Sequence, residues 1–202
     1  MNRQNFSYMI FYLIISMILL AYILPWVNNH ASGLNLGAYD LAELSSLVPA
    51  LDTSLYLRIQ LFNICLLIGL FSHRSRFSAQ WWLANLTILT LTFAQLPPFE
   101  FINNLSNPNY QQQFILAILS LASCLLILVN MNTKVRTVVM LIICGVSIGS
   151  AIVGLTLAQD WMLRFSLMAQ ITPAIVLFII SYIGLGIFIL LKQKHGRNFL
   201  PC

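Results

Sequence analysis

Apolar residues run along this chain in six long blocks separated by short polar segments. The blocks are Tyr8–Trp26, Ser54–Ser72, Trp81–Pro97, Gln113–Met131, Thr137–Leu157 and Thr172–Leu191. Each is about 20 residues long, the length a helix needs to cross the hydrocarbon core of a bilayer. Backbone N–H and C=O groups in lipid must pair within their own segment, so runs of this length predict helices. Asn85, Thr87, Thr90, Thr92 and Gln95 dilute the third block. The Trp81-Trp82 pair at its start supplies an interfacial anchor that favours a span.

Punctuation between the blocks agrees with this reading. Asn107-Pro108 and Thr172-Pro173 each match an N-cap followed by proline at the first helical position. Asp52, Thr53 or Ser54 can cap the second span. The segment after the first span, SGLNLGAYDLAELSSLVPAL, has a different pattern. Asp40 and Glu43 stand at capping-box spacing. Leu41, Leu44, Leu47 and Val48 recur on one helical face, and Pro49 is a stop signal. A short amphipathic helix near 40–48 is expected, with its acids toward water. Three roles fit it: a seal over one end of the bundle, a partner-docking surface made by Asp40, Leu41, Glu43, Leu44 and Leu47, or a ligand lid. It has no Lys or Arg, which argues against binding anionic lipid along its face.

Composition explains why the blocks are so apolar. Residues are 59% hydrophobic and 7% charged, against roughly 25% charged in a soluble globular domain. The solvent of this chain is therefore expected to be mostly lipid. The first block is too long for the apolar core of a cleaved signal peptide, about 7–15 residues, so an uncleaved first span is expected. Nothing divides the chain into domains, and 1–202 reads as a single transmembrane helical domain.

The net charge of +5 is resolved by position. With six spans, the connecting segments alternate sides. Arg3, Arg74, Arg76, Lys134, Arg136, Lys192, Lys194 and Arg197 fall on one side. Asp40, Glu43, Asp52, Glu100 and Asp160 fall on the other, with Arg164. Lys and Arg excess marks the cytoplasmic face. The expectation is an all-α integral membrane bundle of six helices, both termini cytoplasmic, in a bacterial cytoplasmic membrane. No basic patch with interleaved aromatics suggests nucleic acid.

Chemistry is sparse. Arg58 is the one charge inside a span, close to the outer end. It can form an interfacial ion pair with Asp52, Glu100 or an acid of the 40–48 helix, or bind a carboxylate or other anion. Gln60, Asn63, Asn85 and Gln95 follow along spans two and three. They read as polar glue between those helices or as a hydrated solute path. Gly145, Gly149 and Gly154 form a small-residue row in span five, for packing inside the bundle or against another subunit. Cys65, Cys124 and Cys144 lie within apolar runs and read as packing residues. His30, His73 and His195 sit outside the spans, so no mid-membrane haem ligand is expected. No HExxH, GxSxG or P-loop motif occurs. Catalytic residues, metal and cofactor are therefore expected to be absent. Tyr8, Tyr12, Trp26, Trp81, Trp82 and Trp161 near span ends suggest an interfacial aromatic belt. The function expected is a non-catalytic accessory or scaffold subunit of a larger membrane complex. The alternative is the membrane component of a small-solute or lipid transporter, motivated by Arg58 and the polar line below it.

Overall fold

The computed structural model describes residues 3–29, 33–47, 51–72, 78–167 and 170–197. The fold is mostly helical, with helices α1 (Arg3–Ile23), α2 (Ala38–Ser46), α3 (Leu51–Phe71), α4 (Ala79–Ala94), α5 (Pro108–Ala122), α6 (Thr133–Arg164) and α7 (Pro173–Arg197). Five stretches are long and apolar enough to cross a membrane: Asn5–Ile23, Thr53–Phe71, Pro108–Ile127, Thr133–Arg164 and Pro173–Lys194. The third of these is α5 continued by a 3₁₀ turn, Ser123–Ile127. The third apolar block of the sequence forms only the 16-residue α4. Its helix stops at Ala94 because Pro97-Pro98 cannot continue it and bias the residues before them toward extended backbone.

Other boundaries also moved. α1 ends at Ile23 ahead of Pro25, so Trp26 leaves the helix. α6 extends to Arg164, 32 residues and about 48 Å, well past the block that predicted it. α5 starts where Asn107-Pro108 predicts: the Asn107 side chain accepts from the Asn109 N–H at 3.0 Å. Thr172 likewise accepts from the Ala174 N–H at 3.3 Å at the start of α7. The short amphipathic helix begins earlier than its acids suggested. Gly37 is the N-cap, and Asp40, at the third helical position, accepts from the Gly37 N–H at 3.1 Å. Asp40 thus takes the returning-carboxylate role of the box, and Glu43 is freed for another partner. Val48 and Pro49 lie outside the described residues.

Contacts fix how the helices run. Trp26 meets Phe178 at one end of α1 and α7, and Lys192 lies over the Tyr8 ring at the other, so these two are antiparallel. Gly154 packs on Leu57 and Ser147 bonds Asn63, so α6 is antiparallel to α3. α3 and α5 are parallel: Arg58 meets Asn109 near both starts, and Gly69 meets Ser123 near both ends. The chain between Phe71 and Pro108, which contains α4, therefore returns toward the end where α3 began. Phe11, Ile18, Ile64, Ile68, Phe178 and Leu185 are among the fully buried side chains between the helices. Leu13, Leu86, Phe93, Ile142 and Ile180 on the outer faces are more than half exposed, as expected where the surroundings are acyl chains.

One end carries a small antiparallel sheet of β1 (Val27–Asn29), β2 (Leu34–Leu36) and β3 (Gln170–Ile171), in the order β2-β1-β3. Val27 stands opposite both Leu36 and Ile171. Thr172 N–H donates to the Trp26 carbonyl at 2.9 Å, and the Thr172 hydroxyl donates to that of Pro25. The ends of α1 and the start of α7 are thereby joined. Trp26 is fully buried and its indole N–H donates to the Ala21 carbonyl at 2.8 Å. Tyr8 and Trp161 are buried too, whereas Trp82 is exposed. The aromatics near span ends are thus divided between core and surface rather than forming one belt.

Gly69 marks the closest helix approach. A Cβ there would sit 2.5 Å from the Ser123 carbonyl oxygen, and backbone on both sides has no room to yield. Gly69→Ala should lower stability in detergent by about 1–3 kcal/mol. Gly145→Ala, facing open space inside α6, should leave it unchanged or raise it by up to about 1 kcal/mol. Equal thermal midpoints for Gly69→Ala and the parent chain would refute the contact.

Candidate functional site

The most connected polar site forms at the sheet end, where α2, α3 and α5 meet. Ser54 and Arg58 are one turn apart on α3 and share a face. Asn109, Gln112 and Gln113 share a face of the first turns of α5 by the same rule. Arg58 is only 4% exposed. Its Nη2 donates to Glu43 Oε1 at 2.8 Å. Its Nη1 donates to Asn109 Oδ1 and, at 3.0 Å, to Gln112 Oε1. Glu43 Oε1 also accepts from Gln113 Nε2 at 2.9 Å, and Gln112 Oε1 from the Ser54 hydroxyl at 2.9 Å. One carboxylate and two amides thus bond the guanidinium through Nη1 and Nη2, a third amide bonds the carboxylate, and Nε has no hydrogen-bond partner among the described residues. A buried charge is tolerable only when paired and hydrogen-bonded in this way. Tyr39, one turn before Glu43, has its phenol pKa raised by burial first and by the Glu43 carboxylate second. It therefore stays protonated at physiological pH.

Beside this network is a cavity of about 10 Å³ lined by Tyr39, Glu43, Arg58, Gln95 and Gln113. That is at the lower limit for a single water. Arg58 and Gln95 therefore share a wall, but Gln95 bonds elsewhere. Its Nε2 donates to Ser120 Oγ at 3.0 Å and to the Leu91 carbonyl at 3.0 Å.

Further down α3 the partners come from α6. Gln60 Nε2 donates to Ser150 Oγ at 2.7 Å and to the Ser147 carbonyl at 3.2 Å. Asn63 Nδ2 donates to Ser147 Oγ at 2.9 Å. Both serines also return a hydrogen bond to their own helix, to Ile143 and Val146, which satisfies the hydroxyl protons without an outside acceptor. Gly154 continues this face: a Cβ there would come within 2.9 Å of Leu57 Cδ2. At roughly 100° per residue, Ser147, Ser150 and Gly154 fall within about 60° of one another, with Gly145 and Gly149 on the opposite side. Gly145 and Gly149 are exposed, with nothing within reach of an added Cβ.

The structure therefore divides the polar residues expected to cluster. Arg58 joins α2 and α5, Gln60 and Asn63 join α6, and Gln95 joins α5. Asn85 Nδ2 bonds only the Trp81 carbonyl in its own helix, at 2.8 Å. On α2, Leu41 is fully buried against the bundle, Leu44 is half-buried and Leu47 is 80% exposed. Asp40 is exposed and bonded to Gly37, and Glu43 is held by Arg58. Sequence reading missed Asn109, Gln112 and Gln113, because partners for the polar residues of span two are sought on span three and on the acidic segments, not on the first turns of span four. The available signal was their spacing of three and four behind an Asn-Pro cap. Among the described residues, no three His, Cys, Asp or Glu side chains are grouped to hold a metal ion.

Comparison of the chain with protein-family models, curated proteins and solved structures finds no match.

The two amides on α3 and α4 should behave differently when replaced. Asn63→Leu removes the interhelical hydrogen bond to Ser147 Oγ, at a cost of about 0.6–2 kcal/mol. Asn85→Leu removes only a bond within one helix and should be neutral or stabilising in detergent. Thermal unfolding of both variants tests this; equal losses would contradict the assignment.

Proposed function

We propose that this chain is a membrane-embedded, non-catalytic scaffold or accessory subunit, crossing the bilayer six times with both termini cytoplasmic. The observation that supports the reading is that the polar groups turn to neighbouring helices rather than to open space. Arg58, Gln60, Asn63 and Gln95 each bond another helix, and the cavity between Arg58 and Gln95 holds about one water. A solute site needs a cavity many times larger, and transporter sites are typically built on helices interrupted at mid-membrane. α3 runs unbroken past Arg58, Gln60 and Asn63, and α6 past Ser147 and Ser150. Meanwhile Gly145 and Gly149 offer a small-residue surface that no described helix covers. Such surfaces suit a chain whose work is to hold other membrane proteins.

The sixth crossing is assigned to α4 with the segment after it. α4 alone spans about 24 Å, less than the roughly 30 Å hydrocarbon core. Residues 95–107 complete the return, seated on the first turns of α5 through Phe101, whose ring lies 5.0 Å from that of Phe114. Thr87 and Thr90 hydroxyls bond their own helix at Leu83 and Leu86, so they can face lipid. Orientation rests on charge: Lys134, Arg136, Lys192 and Lys194 lie at the end away from the sheet, and Asp40, Glu43, Glu100 and Asp160 lie at or toward the sheet end.

Two measurements test these statements. Purified in mild detergent from its own membrane, the chain should run on a native gel within a stoichiometric complex larger than 22.8 kDa. A lone, folded chain, or a homo-oligomer, would contradict the subunit reading. For orientation, an Asp160→Cys variant should react with a membrane-impermeant thiol reagent in intact cells, and Lys134→Cys only after permeabilisation. The reverse result would invert the topology.

A further inference from the structure

At the end opposite the sheet, α3 finishes, α6 starts and α7 finishes around a cavity of about 440 Å³. Lys134, Arg136 and Lys192 line it, and no acidic side chain does. Phe71, Met140 and Ile189 form an apolar wall deeper in the bundle. Lys192 Nζ is held 3.8 Å from the centroid of the Phe71 ring, which fixes a cation over an aromatic face at the rim. The first turn of the long α6 also opens on this cavity through Asn132 and Thr133. Its dipole adds positive potential in the same place. Among the described residues the acidic side chains Asp40, Glu43, Glu100 and Asp160 lie toward the opposite pole.

A cavity that is cationic at the rim and apolar below matches an anion joined to a hydrocarbon tail. We infer that it binds the phosphate of an anionic phospholipid, with the headgroup between Lys134, Arg136 and Lys192 and the glycerol and upper acyl carbons against Met140 and Ile189. Basic pockets between membrane helices recognise phosphorylated headgroups by this chemistry. Free inorganic phosphate shares the charge but not the tail, and it would leave the apolar wall unused. The inference needs only that the bundle sits in a bilayer, so it stands apart from the subunit reading.

The test uses the full-length chain in zwitterionic nanodiscs doped with a few per cent of an anionic phosphodiester lipid. Native mass spectrometry of the released protein should show one anionic lipid retained in preference to the zwitterionic one. Lys134→Gln, Arg136→Gln and Lys192→Gln should each weaken retention about fivefold. Lys194→Gln, which does not line the cavity, should retain lipid as the parent does. Lys192→Arg keeps the charge and should retain lipid, which separates binding from damage to folding. Inorganic phosphate at millimolar concentration should not displace the lipid. Equal retention by all the Gln variants would overturn the site, because it would mean charge-independent annular lipid. Displacement by inorganic phosphate would overturn the lipid as its occupant.

Discussion

The architecture depends on one buried guanidinium. Arg58 lies inside an apolar helix with almost no exposed surface, and in that setting an unpaired charge costs several kcal/mol or more. Its two terminal nitrogens are met by acceptors from two other elements, Glu43 of α2 and Asn109 and Gln112 of α5. That requirement has geometric consequences. α2 must fold down over the end of the bundle, and the start of α5 must lie at the same depth as the start of α3. Two parallel neighbours joined in sequence require a return path, and α4 supplies it. The topology of the middle of the chain thus follows from satisfying one side chain.

The remaining polar groups obey the same economy along the length of the bundle. Gln60 and Asn63 of α3 turn to serine hydroxyls on α6, and Gln95, just after α4, turns to a serine hydroxyl on α5. Close backbone approach at Gly69 and Gly154 brings those helices within reach. The outer faces need no such care and expose Leu, Ile and Phe freely. At the sheet end, where water returns, short strands and the Thr172 bonds close the backbone groups left open by the ends of α1 and α7.

Much of this was legible in the residues. Helical spans, the Asn107-Pro108 and Thr172-Pro173 starts and the short helix after the first span all follow from pattern and cap chemistry. What failed was lateral arrangement. The sequence offers an acid of the 40–48 helix as one partner of Arg58, and Glu43 is that partner; it places Gln60 and Asn63 at a depth but not beside a particular neighbour, and they meet α6 rather than α4. Gly145 and Gly154 look like one row in the text yet lie on opposite sides of a helix. Three-residue strands such as Val-Asn-Asn carry no alternation to read. Trp26 resembled an interface anchor because burial of an indole depends on a backbone acceptor, here Ala21, that only the fold supplies.

The account stands or falls on the pairing of Glu43 with Arg58. A double-mutant cycle of Glu43→Ala and Arg58→Ala, read as unfolding free energy in detergent, isolates that interaction from the rest of each side chain. The account predicts a coupling energy of about 1.5–3 kcal/mol, the range for hydrogen bonds to charged groups. Additive losses, with coupling below about 0.5 kcal/mol, would mean that the two charges do not hold α2 to α3 and that Arg58 is satisfied some other way.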